Sequence, residues 1–245
     1  MAITLFSQAM PRSWRPLLLA LALLLSPLGP VACAAQGPAA DLGCGTSGVP
    51  CLKGIALVEL KTSKGDVKLS LDGDAAPLTA GNFVDLVRRG VYNGTVFHRV
   101  VREPIPFVVQ GGDPQSTDPK VPADLLGTGS FIDPGTGQPR LIPLELFLQG
   151  DASPRYGQIA AGPGQQSKLK LQHQRGALAM ARSEDPNSAS AQFYIALRAL
   201  PELDGRYAVF GRVTSGMEVV DRITQGDKLI SAKLIQGGTL VKDRP

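Results

Sequence analysis

Regular patterning of apolar and polar positions begins at Ile55. Ile55 to Leu60 is apolar except for Glu59, and from Asp66 to Asp72 the two kinds of residue interleave, with Val67, Leu69 and Leu71 alternating with Lys68 and Ser70. With the turn Thr62-Ser63-Lys64-Gly65 between them, the two runs predict a half-buried hairpin. The period then changes. Pro77 opens a stretch where Phe83, Leu86 and Val87 share one helical face, Arg88 and Arg89 occupy the last turn and Gly90 stops it. Short apolar runs of strand length follow at Thr95 to Val101, Phe107 to Gln110, Gly176 to Ala181, Phe193 to Leu197 and Tyr207 to Val213. A second helix is predicted from Ser215, where Glu218 completes a capping box, Met217, Val220 and Ile223 form the buried side and Gly226 ends it. Leu229 to Ile235 reads as a final strand. Many short strands with two isolated helices predict a mainly β fold, a closed antiparallel barrel, because closure removes exposed strand edges.

The first thirty-five residues follow a different logic. Arg12 and Arg15 make a basic, acid-free start, the run Leu17 to Leu25 is apolar, and Val31-Ala32-Cys33-Ala34-Ala35 offers small residues for cleavage. This is the order of a secretory signal. A spanning helix needs ~20 apolar residues, and Ser26-Pro27 breaks this run too early. Residues 36 to 54, rich in Gly, Ala and Pro, read as a linker ahead of a domain covering 55 to 245. Cys44 and Cys51 remain as an even pair in the exported chain and are expected to form a disulfide outside that domain. The alternatives are two free thiols and, for Cys33, a lipidated first residue.

Composition narrows the function. The 245 residues are 43% hydrophobic and 19% charged, which describes a folded soluble domain. Removing the leader leaves 23 basic against 21 acidic residues, without a basic run, so a nucleic-acid partner is not indicated. No G-x-S-x-G elbow occurs, and His98 and His173 stand in unrelated contexts, His173 reading as a loop residue. Three cysteines and two histidines, none at zinc spacing, predict no metal. Nucleotide-cradling glycine motifs are absent as well.

What stands out is Phe97-His98-Arg99-Val100, then Phe107-Val108-Val109-Gln110-Gly111-Gly112-Asp113-Pro114. Met180-Ala181, Gln192-Phe193-Tyr194 and Leu203-Asp204-Gly205 leading into Val209-Phe210-Gly211 follow. In this order the motifs resemble the cyclophilin family of peptidyl-prolyl cis-trans isomerases over about residues 55 to 240. The resemblance implies an eight-stranded barrel capped by two helices, rotation about Xaa-Pro bonds of exported polypeptides, no cofactor, and a monomer. It implies Arg99 and Gln110 as catalytic residues and Phe107, Val108, Ala181, Arg182, Gln192, Tyr194, Leu203 and Tyr207 as substrate-binding ones. His98 is a structural neighbour of the site. The alternative is a catalytically weak binding or chaperone module of the same shape. Asp118 to Gln174 is long for the family; Ser130 to Pro134 and Ile142 to Glu145 resemble an insertion in cyclophilin-like proteins of the photosynthetic lumen. With the leader, this points to an exported bacterial form in the periplasm or thylakoid lumen. Tyr194 stands where Phe is usual, Val108 where Met is common and Glu202 where many members carry a Trp that is associated with binding cyclosporin.

Overall fold

The computed structural model describes residues 43–44 and 47–241. The leader, its cleavage site and Cys33 lie outside the described residues, as does most of the linker. Strand β1 (Cys51–Thr62) turns into β2 (Gly65–Asp72) as the alternation predicts, with Thr62 Oγ1 donating to the Gly65 carbonyl at 2.7 Å. Regular structure starts four residues before the sequence pattern does, because Cys51 to Lys53 already pair with Thr239 to Val241. The Cys44–Cys51 disulfide is present. Its Cys51 arm is the buried first residue of β1, so the bridge ties the linker to the sheet instead of lying outside it.

Helix α1 (Pro77–Arg88) ends at Gly90, whose φ of 70° is a left-handed stop. It crosses the start of β1 at Gly81, where a side chain would collide with the Pro50 carbonyl. Then come β3 (Arg99–Val101), β4 (Val108–Gly111), β5 (Glu145–Leu146), β6 (Arg155–Tyr156) and α2 (Pro163–Gln166). The chain continues with β7 (Ala177–Met180), β8 (Phe193–Ala196), β9 (Val209–Ser215), α3 (Met217–Val220) and β10 (Leu229–Val241). Eight strands form one antiparallel sheet in the order β10-β1-β2-β9-β7-β8-β4-β3, while β5 and β6 pair apart. The ladders stop at β10 and β3; the residues just before those strands touch through one bridge, Val96 to Lys228.

The second helix departs from its prediction. Ser215 remains in β9, paired with Lys68, and Gly216 turns the chain in the left-handed region, so no capping box forms and α3 is a single turn. Ladder pairing there outcompetes the local capping signal.

Strands β7 and β8 are buried on both faces. On one face Leu178, Met180, Phe193 and Ile195 join the main core, where the Phe83 ring sits 5.4 Å from Phe193 and 5.2 Å from Phe210. On the other, Ala177, Ala179, Tyr194 and Ala196 join Val108 and Val209 in a smaller cluster. Residues 118 to 174 contribute Leu144, Leu146, Leu148, Ala160 and Leu169 to a third cluster, which Ala208 completes. Buried polar anchors dock this insert. Glu145 accepts from the backbone N–H groups of Leu78 (3.0 Å) and Thr79 (2.8 Å), supplying the α1 cap that Ala76 cannot. Arg140 pairs with Asp85 at 2.6 Å and Asp133 at 3.0 Å.

Candidate active site

The site lies on the face of the sheet turned away from the main core, and strand register aligns it. Arg99 of β3 is opposite Gln110 of β4, Gln110 is opposite Tyr194 of β8, and Tyr194 is opposite Ala179 of β7. Neighbouring strands are ~4.8 Å apart, so the row brings a cation, an amide and an aromatic ring together without help from any loop. Arg99 donates to Gln110 Oε1 at 3.3 Å, Gln110 Nε2 to Gln192 Oε1 at 3.2 Å, and Gln192 Nε2 to the Gly129 carbonyl at 2.8 Å. This amide chain orients the arginine from behind and ends on the insert.

Arg99, Phe107, Val108, Gln110, Ala181, Arg182, Tyr194, Leu203 and Tyr207 surround one cavity of about 290 Å³. Every residue named from the sequence as catalytic or substrate-binding is on that wall except Gln192. Gln192 lines a neighbouring cavity of about 450 Å³ between Gly127 to Ser130 and Arg182 to Ser190, which shares Gln110, Ala181 and Arg182 with the first. The Arg99 guanidinium lies 6.0 Å from the centre of the Phe107 ring and is exposed. Arg182 is committed to the backbone: Nε and Nη2 donate to the Arg206 carbonyl at 2.9 and 2.7 Å, and Nη1 to Ser183 and Glu184 carbonyls. Its guanidinium also covers the Tyr207 ring at 4.8 Å, so it shapes the rim.

His98 is 9% exposed, beside Gly127. Burial lowers its pKa from the ordinary imidazole value, with Asp113 acting in the opposite sense. Asp113, fully buried at the root of the insert, accepts from Gly127 N–H at 2.6 Å and Gln115 N–H at 2.9 Å. His173 stands in a loop, as expected, but it is 1% exposed and bonded to both Tyr194 and Asp204. The sequence reading missed this pair, and the signal available was the Tyr194 hydroxyl, a buried polar atom that requires a partner. Among the described residues no cluster of His, Cys, Asp and Glu is arranged to hold a metal ion.

An exposed cation above an apolar pocket, held by amides, suits stabilisation of a twisted amide. The sequence profile of the family described as "Cyclophilin type peptidyl-prolyl cis-trans isomerase/CLD" matches residues 57–240. The chain is 40% identical over 199 residues to a Synechocystis sp. protein named as a thylakoid lumen peptidyl-prolyl cis-trans isomerase, covering 77% of this chain and 49% of that one. It is 37% identical over 207 residues to the chloroplastic peptidyl-prolyl cis-trans isomerase CYP38 of Arabidopsis thaliana, covering 77% and 44%. The chain thus spans about half the length of these two relatives. A solved cyclophilin-type isomerase of Cryptosporidium parvum superposes with a TM-score of 0.56 at 23% identity, covering 75% of this chain and 99% of that one, a likeness of fold.

Proposed function

The chain belongs to the cyclophilin-type peptidyl-prolyl cis-trans isomerases, and we propose that it accelerates rotation about Xaa-Pro bonds in exported polypeptides. The observation that carries this is Arg99, exposed at the rim of a cavity walled by Phe107, Val108, Tyr194 and Leu203 and hydrogen-bonded to Gln110. Rotation about a peptide bond is opposed by ~18–20 kcal/mol, because the nitrogen lone pair is conjugated with the carbonyl. In the twisted state that conjugation is lost and the nitrogen becomes pyramidal and basic. A guanidinium N–H directed at that nitrogen stabilises the twisted state more than either planar isomer, which lowers the barrier without covalent chemistry. The apolar walls hold the proline ring, Gln110 orients Arg99 and the substrate backbone, and Ala181, Arg182, Gln192 and Tyr207 frame the flanking chain. His98 supports the wall beside Gly127.

The leader at 1 to 35, the Cys44–Cys51 bridge and the lumenal name of a relative support export to a periplasm or thylakoid lumen, with Cys33 lipidation as the competing form of anchoring. Among the described residues no helix is long and apolar enough to cross a membrane. The eight-stranded sheet is read as a barrel closed at Val96 and Lys228. The test is a protease-coupled rotation assay on a Xaa-Pro peptide, using protein from residue 36 onward. Acceleration unchanged by chelators is the expected result. Peptide binding without acceleration would replace this reading with the binding-module one.

A further inference from the structure

The aromatic wall of the proline cavity carries a polar atom, and the structure shows what that atom is bonded to. Tyr194 is 4% exposed, and its hydroxyl lies 2.9 Å from His173 Nε2. On the far side of the imidazole, Nδ1 lies 2.8 Å from Asp204 Oδ1, and the same oxygen accepts the His173 backbone N–H at 2.8 Å. The imidazole and phenol rings are within 11° of parallel, and Tyr207 meets Tyr194 edge-on at 5.8 Å. Three separate segments meet here: the end of the insert (His173), strand β8 (Tyr194) and the turn after Pro201–Leu203 (Asp204). That turn also carries Leu203, another cavity wall.

Chemistry settles where the protons sit. An aspartate carboxylate only accepts, so His173 Nδ1 carries the imidazole proton and Nε2 is left as an acceptor. The phenol then donates to Nε2. Both shifts agree with this arrangement: burial holds His173 below the ordinary imidazole range, against the pull of Asp204, and holds the Tyr194 phenol well above its ordinary value. A phenylalanine here would be held by packing alone. The tyrosine is held at its far end too.

We propose that His173 and Asp204 are positioning residues of the isomerase pocket: the carboxylate sets the imidazole tautomer, and the imidazole fixes the Tyr194 ring against which the substrate proline packs. This rests on the isomerase reading above. The consequence is that protonating His173 loosens the wall. An imidazolium has no acceptor to offer, so the Tyr194 hydroxyl must reverse its role and its own proton loses a buried partner. The charged and titratable groups around the pair are Asp204 and Glu202, which favour the imidazolium, and Arg99, Arg182 and Tyr207 around the phenol.

A double-mutant cycle with kinetics and ¹⁵N NMR tests this. The chain has two histidines, His98 and His173, so His173→Gln leaves one imidazole and assigns both spectra. In the wild type His173 is expected as the neutral Nδ1–H tautomer. Activity should fall on the acid side, below the ordinary histidine range, in step with the His173 titration; His173→Gln should lack that limb. Asp204→Ala, which removes the acceptor that holds the Nδ1 proton, should lower kcat about ten-fold with KM little changed. In a Tyr194→Phe background the same substitution should have less than about a two-fold effect, because the hydroxyl it serves is gone. An Nε2–H tautomer, an acid limb that survives His173→Gln, or equal effects of Asp204→Ala in both backgrounds would overturn the proposal. A wild type without isomerase activity would overturn the isomerase reading and the positioning role with it. The NMR tautomer would then report separately whether the hydrogen-bond chain is present.

Discussion

The site face of the sheet and the insert at 118 to 174 are held in place by different kinds of bond. Arg99, Gln110, Tyr194 and Ala179 are set side by side by backbone ladders, which continue whatever side chains they carry. The insert has one short ladder of its own, β5 with β6, and reaches the rest of the protein through scattered contacts: side chains such as Glu145 and Arg140, single backbone bonds such as Ile142 N–H to the Ala189 carbonyl, and Phe131 and Ile142 in the main core. Losing a side chain from the first region should therefore remove chemistry and leave the fold. Losing one from the second should remove structure and leave the chemistry.

The largest effect is expected from Glu145→Ala, which strands two buried N–H groups at the start of α1 and should cost ~3 kcal/mol of stability, measured by denaturant unfolding. Residual folded protein should still turn over peptide. Glu145 also gives this prediction a pH sign. Burial raises its pKa above the ordinary carboxylate value, against the Thr79 and Leu78 N–H groups that favour the charged form. Its contribution is thus greatest below that value and declines as pH rises through the raised one. Glu145→Gln, which cannot ionise, should flatten the pH dependence of unfolding over that window. An unchanged profile would show that Glu145 does not titrate with a raised pKa in the folded protein.

Next in size, Arg99→Ala removes a charge-assisted hydrogen bond and should slow rotation by roughly ten- to a hundred-fold. Its melting temperature should stay near that of the wild type. A large fall in melting temperature would break the comparison, because the arginine would then be structural.

Reduction of Cys44–Cys51 should destabilise by about 2 kcal/mol, the low end for disulfides, since the closed loop is short. The bridge ends on buried Cys51 of β1, so the loss should appear as earlier exchange of β1 and β10 amides, with catalysis nearly unaffected. Intact mass under non-reducing conditions should show both thiols blocked.

The smallest effect concerns cyclosporin. Glu202 is exposed and paired with Arg198 at 2.6 Å, and its own backbone N–H, then Arg198, holds its carboxyl below the ordinary range. An ionised, paired carboxylate offers neither an aromatic face nor a donor to an apolar macrocycle. Weak inhibition is expected, tightened about ten-fold in Glu202→Trp, with peptide turnover altered far less. Tight inhibition of the wild type would show that Glu202 does not border the ligand surface.

The hairpin of β1 and β2, helix α1 and most of the residues that line the candidate cavity were legible in the sequence. Each depends on neighbours in the chain: a two-residue alternation, a Pro start with a Gly stop, short motifs in a fixed order. Where a local signal competed with a distant partner, the distant partner prevailed, as at Ser215, whose capping motif lost to pairing with Lys68. The Glu145 cap on α1 and the Asp204–His173–Tyr194 chain belong to the tertiary structure alone. Their partners are 66 and 67 residues apart in the first case, and 31 and 21 in the second. No periodicity encodes such a meeting. A buried carboxylate, imidazole or phenol must find a partner, because leaving it unpaired away from water costs more than the bond itself contributes. Which partner it finds is decided only when strand register and the path of the insert bring distant segments to the same place.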